Sequence, residues 1–138
     1  MVHATSTAAQ YADLAERYAS DMLLQAGDVV MLGGSAEVTK CNKELCDSVF
    51  GVVSDSPAFL MNAQAGNNDS HPMIALKGRV LVKIEGEGKA GDRIVSAGNG
   101  HARVASLDEC TAFNVLGRLI NDKYNEETQL TECVIGVK

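Results

Sequence analysis

The chain has 138 residues, of which 46% are hydrophobic and 22% charged, enough for one domain built on one core. A net charge of −6 leaves no basic patch to neutralise phosphates, so nucleic acid is not an expected partner. No apolar run approaches the roughly 18 residues of a membrane-crossing helix, and the first residues lack the basic-then-apolar layout of a signal peptide. The expectation is a protein made in a cytoplasm, with no membrane insertion.

Two prolines, no tryptophan and thirteen glycines among many Val and Ile favour strands joined by glycine turns over a helical bundle. Of the cysteines, Cys41 and Cys46 are separated by four residues while Cys110 and Cys133 stand alone, so the two close pairs of a zinc site are not present. They are expected to stay reduced and pack as small apolar residues. His3, His71 and His101 are scattered, with no i, i+4 pairing, so neither a metal nor a cofactor is expected.

Residues 3–20 are rich in Ala, Ser and Thr, and Tyr11, Leu14, Ala15 and Tyr18 fall at helical spacing. The segment reads either as a short amphipathic helix or as an extended arm ordered against a neighbouring subunit. It divides the chain into an N-terminal arm, residues 1–20, and a single β domain, residues 21–138.

Beyond Gln25, short apolar runs alternate with turn residues. Asp28–Leu32 ends at Gly33-Gly34, Ala36–Cys41 alternates, and Val49–Ser54 is a nearly continuous apolar run suited to a strand buried on both faces. Pro57 interrupts, and Ala58–Met61 follows. Met73–Glu85 is the longest strand pattern, with Val80, Val82 and Ile84 on one face and Arg79, Leu81 and Lys83 on the other. Arg93–Ser96, Ala102–Ala105, Asn114–Ile120 and Leu130–Val137 complete about nine strands, the pattern of an all-β, mainly antiparallel barrel or sandwich. Gln25-Ala-Gly-Asp28 is echoed by Lys89-Ala-Gly-Asp92. Gly permits a positive φ and Asp bonds nearby amides, so the echo predicts two equivalent tight turns. It does not by itself establish a duplication.

Taken together, Tyr11-Ala-Asp-Leu-Ala-Glu-Arg-Tyr18, Ala26–Gly34, Gly51–Ser54, Ala58–Asn62, Ala75–Val80 and Lys89–Val95 resemble, in order and spacing, the C-terminal domains of tailed-phage tail fibres and tailspikes. That group includes the autoproteolytic intramolecular-chaperone domains of phage appendages and cyanophage-type fibre proteins. The resemblance spans about Ala9 to Lys138. It implies a virion protein rather than a metabolic enzyme, assembled as a homotrimer, with residues 1–20 at the joint to a fibre stalk and Tyr11, Leu14 and Tyr18 as trimer-interface candidates. Burying that segment against a threefold neighbour would remove apolar area from water at roughly 25 cal/mol per Å².

Two roles follow from the resemblance. As a receptor-binding tip, the domain would contact a bacterial surface receptor, a polysaccharide or an outer-membrane component. The polar loop from Asn62 to His71 is the candidate, with Asn62, Gln64, Asn67, Asn68, Asp69 and His71 offering donors and acceptors that match sugar hydroxyls, although it has no aromatic residue to stack on a ring. As a folding clamp, it would register three chains. In the self-cleaving relatives a similar acidic block follows the scissile Asn-Ser bond. Asp13 and Glu16, three residues apart and on one face if helical, would be the acid–base pair here. The preceding Thr5-Ser6-Thr7-Ala8-Ala9-Gln10 contains no Asn-Ser pair, a departure that places cleavage in doubt.

The basic face of Lys77, Arg79 and Lys83 reads as an intersubunit partner for acidic groups. A capsid decoration protein is the reading from a different class. Such proteins are also small, acidic and β-rich, and the frame that opens at Met1 suits one, whereas the Ala-Asp-Leu-Ala-Glu block favours the fibre. A polysaccharide depolymerase is disfavoured, since that activity needs a long β-helix.

Overall fold

One long strand, Met73–Ile84, organises the molecule, as its alternation of Val80, Val82 and Ile84 requires: those three side chains are buried while Leu81 faces out. The computed structural model describes residues 12–138. Among them ten strands run in chain order: β1 (Asp13–Arg17), β2 (Val29–Leu32), β3 (Val38–Lys40), β4 (Val49–Val53), β5 (Phe59–Met61), β6 (Met73–Ile84), β7 (Arg93–Gly98), β8 (His101–Val104), β9 (Gly117–Leu119) and β10 (Gln129–Ile135). The helical content is one turn of 3-10 helix, Leu107–Glu109. The all-β expectation holds, and the nine expected strands all form within a residue or three of their sequence bounds.

The C-terminal half of β6 pairs antiparallel with β10, from Gly78 opposite Ile135 to Ile84 opposite Gln129. β10 pairs with β9, β9 with β7, β7 with β8, and β8 returns to β6 through a parallel contact between Ala102 and Ile84. The ring β6–β10–β9–β7–β8 is thus a closed barrel, which removes its sheet edges. The N-terminal half of β6 leaves the ring and pairs on one side with β4, which continues to β2 and β3, and on the other with β1, which carries β5. The main core joins the two parts, from Val29, Cys41 and Val52 to Ile84, Ile94, Leu119 and Ile135. A smaller cluster of Val30, Val38, Val53 and Ile74 lies under Tyr18, Leu24, Phe50 and Leu76.

One expectation is corrected here. The helix that the spacing of Leu14, Ala15 and Tyr18 allowed does not form, because Asp13–Arg17 is strand. Ala, Leu, Glu and Arg are good helix formers, but the exposed edge of β6 offers five residue pairings, and a tertiary ladder outweighs weak local propensity. Tyr11 lies outside the described residues, as do Thr5 to Gln10.

The echoed turns are equivalent atom for atom. Asp28 N donates to Gln25 O at 3.0 Å and Gln25 N to Asp28 Oδ2 at 2.8 Å. In the second turn, Asp92 N donates to Lys89 O at 2.9 Å and Lys89 N to Asp92 Oδ2 at 2.9 Å. Gly27 and Gly91 sit at φ 93° and 91°, a region that costs little only for glycine. The likeness continues downstream. Val30 lies opposite Lys40 and Gly51, and Ile94 opposite Val104 and Gly117, so β3–β2–β4 and β8–β7–β9 are the same three-stranded unit used twice. Gly51 and Gly117 occupy matching positions. A Cβ at either would strike a backbone oxygen of the next strand, Ala75 O or Val134 O respectively.

Candidate functional site

β1 carries the first group of candidates, and its pleat separates them. Asp13 and Ala15 point inward, Leu14 and Glu16 outward, since neighbouring residues of a strand face opposite sides. Asp13 and Glu16 are therefore not on one face, which corrects the helical pairing. Asp13 is 2% exposed, and its Oδ2 has no hydrogen-bond partner. Burial raises its pKa above the usual 3.8, the nearby Asp55 charge adds to the rise, and hydrogen bonding from Ser54 opposes it. Glu16 instead accepts the Tyr18 hydroxyl at 2.7 Å. Burial, and then that bond, push the Tyr18 phenol up to about 12.

Tyr18 packs edge-on against Phe50, with ring centroids 5.1 Å apart and planes at 83°, so much of its ring serves this chain's own smaller cluster. Leu14 lies opposite Phe59 of β5 in parallel register. Phe59 is 62% exposed, which makes the outward face of β1 and β5 an apolar strip. Phe59 had no place among the sequence candidates. Its signal was only a large apolar residue on a short strand after Pro57.

The loop from Asn62 to His71 is held from inside by Arg17, at the end of β1. Arg17 Nε donates to Ala63 O at 3.0 Å, and Nη1 donates to Asn68 Oδ1 at 2.9 Å and His71 O at 2.7 Å. Asn67 Oδ1 accepts from the amides of Asp69 and Ser70, both at 2.9 Å, closing a local turn. Asn62 adopts φ 58° and donates weakly to Arg17 O at 3.4 Å, while His71 Nδ1 lies 3.0 Å from Ser70 Oγ. Four of the six polar candidates thus bond within the loop and to its anchor. Gln64 and Asp69 are exposed, and their side chains take no part in these bonds.

Of the three charges of the basic face, Arg79 and Lys83 are matched within the chain, while Lys77 is exposed. Lys83 Nζ lies 2.7 Å from Asp28 Oδ1, a buried carboxylate, and Arg79 lies 3.5 Å from Glu132. Cys41, Cys46 and Cys133 are buried free thiols, and burial holds the Cys133 thiol up at about 12. Among the described residues, no group of three or more His, Cys, Asp or Glu is arranged to hold a metal, and no helix is long and apolar enough to cross a membrane.

No family model matches the sequence, and no curated protein matches it. Solved structures do. A pre-mature form of gene product 12 of bacteriophage phi29 superposes with a TM-score of 0.63 at 15% identity, over 93% of this chain and 22% of that one. The C-terminal fragment of the same phi29 protein superposes at 0.61 and 16% identity, over 91% of this chain and 100% of the fragment. The N base of the phi29 head fiber gp8.5 superposes at 0.51 and 14% identity, over 87% and 91% of the two chains. The chain spans about a fifth of the pre-mature gene product 12 chain and the whole of the C-terminal fragment. At these identities the likeness establishes the fold, which this chain shares with segments of phage appendage proteins.

Proposed function

We propose that the chain is the terminal domain of a phage fibre or tailspike, a virion structural protein that assembles as a homotrimer and acts in attachment to the bacterial surface. The observation that carries this reading is the match of nearly the whole chain to the C-terminal fragment of a phage appendage protein. The apolar strip of Leu14 and Phe59 supports the trimer, since it lies on the strand nearest the N-terminal segment and would be covered by a neighbouring copy. Attachment is supported by the loop from Asn62 to His71, which Arg17 holds in one shape and which leaves Gln64 and Asp69 at the surface. Three copies would turn weak contacts into useful avidity.

Native mass spectrometry of the full chain tests this. A trimer that falls to monomer on Phe59→Asp supports the strip as the contact. A wild-type monomer, or a trimer indifferent to Phe59→Asp, removes it.

Two further readings each have one observation behind them. Self-cleavage is favoured by Asp13, a buried carboxylate with an unpartnered oxygen and a raised pKa, suited to take or give a proton shortly after residues 5–10. A subunit shortened between Ser6 and Tyr11, and kept intact by Asp13→Asn, is its expected signature. A location on the capsid, as a decoration protein, is favoured by the likeness to a head-fiber base. Binding to purified heads rather than tails would decide for it.

A further inference from the structure

The connection between β9 and β10, residues 120–128, covers a cleft of about 320 Å³ on the outward face of β6 and β10. Its floor is apolar: Leu81 and Leu130 are half exposed and lie diagonally across the β6–β10 ladder. Its rim is Tyr124, 78% exposed. Between floor and rim stand amide and carboxylate side chains, among them Asn121, Asp122 and Gln129.

This connection is rigid for a structural reason. Lys123 is only 4% exposed, and its ammonium turns inward to donate to Gly86 O at 2.6 Å, Asn125 O at 2.7 Å, Glu127 O at 2.7 Å and Asn125 Oδ1 at 3.2 Å. Its backbone exchanges two hydrogen bonds with Gly88, at 2.8 and 3.0 Å. Next to it, Asp122 Oδ1 accepts the Ala90 amide at 2.7 Å and Oδ2 accepts the Tyr124 hydroxyl at 3.2 Å. Burying an ammonium is costly unless it is fully bonded, as this one is. The result holds the residues on either side, Asp122 and Tyr124, in fixed positions at the surface, as a binding site requires.

From this geometry we infer that the cleft binds a neutral saccharide, with a sugar ring laid on Tyr124 and its hydroxyls bonded to the surrounding amides and carboxylates. A pyranose has an apolar C–H face that suits an aromatic ring and the leucine floor, and hydroxyls that both donate and accept, as amide and carboxylate side chains demand. The volume is at the small end of ligand pockets, which begin at about 300 Å³, and suits one or two rings. Acidic sugars are disfavoured. Asp122 stays ionised, since the Ala90 amide and then the Tyr124 hydroxyl lower its pKa, while Glu132 is already matched by Arg79 at 3.5 Å and the Lys123 charge faces the interior, so the lining residues offer an anionic sugar no outward cation. The inference deepens the attachment reading and rests on it for its biological setting, but the binding itself is a property of the isolated chain.

The test is an NMR titration of the ¹⁵N-labelled full chain with trisaccharides of glucose, galactose and N-acetylglucosamine, and with an oligouronate as the anionic probe. The expected result is saturable shifts confined to residues 81 and 120–132 with at least one neutral probe. Tyr124→Ala, at an exposed position that should fold, weakens binding about tenfold, while Asp108→Asn, exposed and outside both candidate loops, leaves it unchanged. No shifts at 120–132 with any neutral probe overturn the inference, as does unchanged affinity in Tyr124→Ala or tighter binding of the oligouronate. If bacterial attachment is lost with Gln64→Ala yet kept with Tyr124→Ala, attachment runs through the loop from Asn62 to His71 and the cleft is not its receptor site.

Discussion

Replacing Lys123 with methionine keeps the aliphatic stem and removes the ammonium, so it isolates the bonds that hold the 120–128 connection. Three backbone carbonyls, those of Gly86, Asn125 and Glu127, lose donors that lie at 2.6 to 2.7 Å, and Asn125 Oδ1 loses a longer one. A hydrogen bond to a charged group contributes about 1.5–3 kcal/mol, so three at the low end total about 4.5 kcal/mol. Part is offset because methionine need not be stripped of an ion's hydration on folding, and because water can reach a site this near the surface. The net expectation is a loss of about 3 kcal/mol. With a urea dependence of about 1.5 kcal/mol per M, the unfolding midpoint falls by about 2 M. The measurement is made at one fixed protein concentration, since association shifts apparent stability. Lys89→Met, at an exposed position nearby, should stay within about 0.5 kcal/mol of wild type. Hydrogen exchange adds a local readout: the Gly88 amide, bonded to Lys123 O, should lose protection more than the amides of β4. A midpoint shift below about 0.5 M would refute the reasoning, because it would mean that the carbonyl cage is satisfied without the lysine.

Further predictions concern the buried Asp13 and the glycines of the repeated unit. Asp13 has a raised pKa, so the folded state holds its proton more tightly than the unfolded one; the stability this contributes is full below pH 3.8 and is lost as pH rises through the folded value. Asp13→Asn, which is always neutral, should therefore be more stable than wild type at pH 7, and the gain should vanish in acid. Paired urea melts from pH 3 to 7 check it, and a constant difference across that range would contradict the assigned burial. At the repeated unit, Gly51→Ala and Gly117→Ala should each cost about 2–3 kcal/mol, because the neighbour struck is backbone and cannot rotate away. Gly91→Ala meets open space and should cost only the strain of a positive φ, about 1–2 kcal/mol. Equal melts for all three would show that the close approach of the strands is not what requires glycine at positions 51 and 117.

The strands were legible in the sequence because period-2 alternation and glycine punctuation are local: Val80, Val82 and Ile84 face inward as their spacing required. The paired turns were legible too, since glycine and aspartate carry the turn geometry in their own backbone and side chain. Beyond them, the register that makes two equivalent units depends on which strands meet, and no short window of sequence holds that information.

The candidate sites divide in the same way. A polar, glycine-containing stretch announced the loop from Asn62 to His71, but its anchor, Arg17, stands 45 residues before Asn62 in the sequence, too far for any local pattern to link the two. Asp13 and Glu16 looked like partners at a spacing of three, and a strand places such residues on opposite sides. Lys123 gave no signal at all, because a lysine among Asn, Asp and Glu reads as surface until the carbonyls of residues 86, 125 and 127 close around it. What the sequence determined by itself is whatever the chain encodes within a few residues: strand, turn and polarity. Tertiary structure decided which edge captures β1, which side chains share a face and where a charge is buried, because those depend on contacts between segments far apart in the chain.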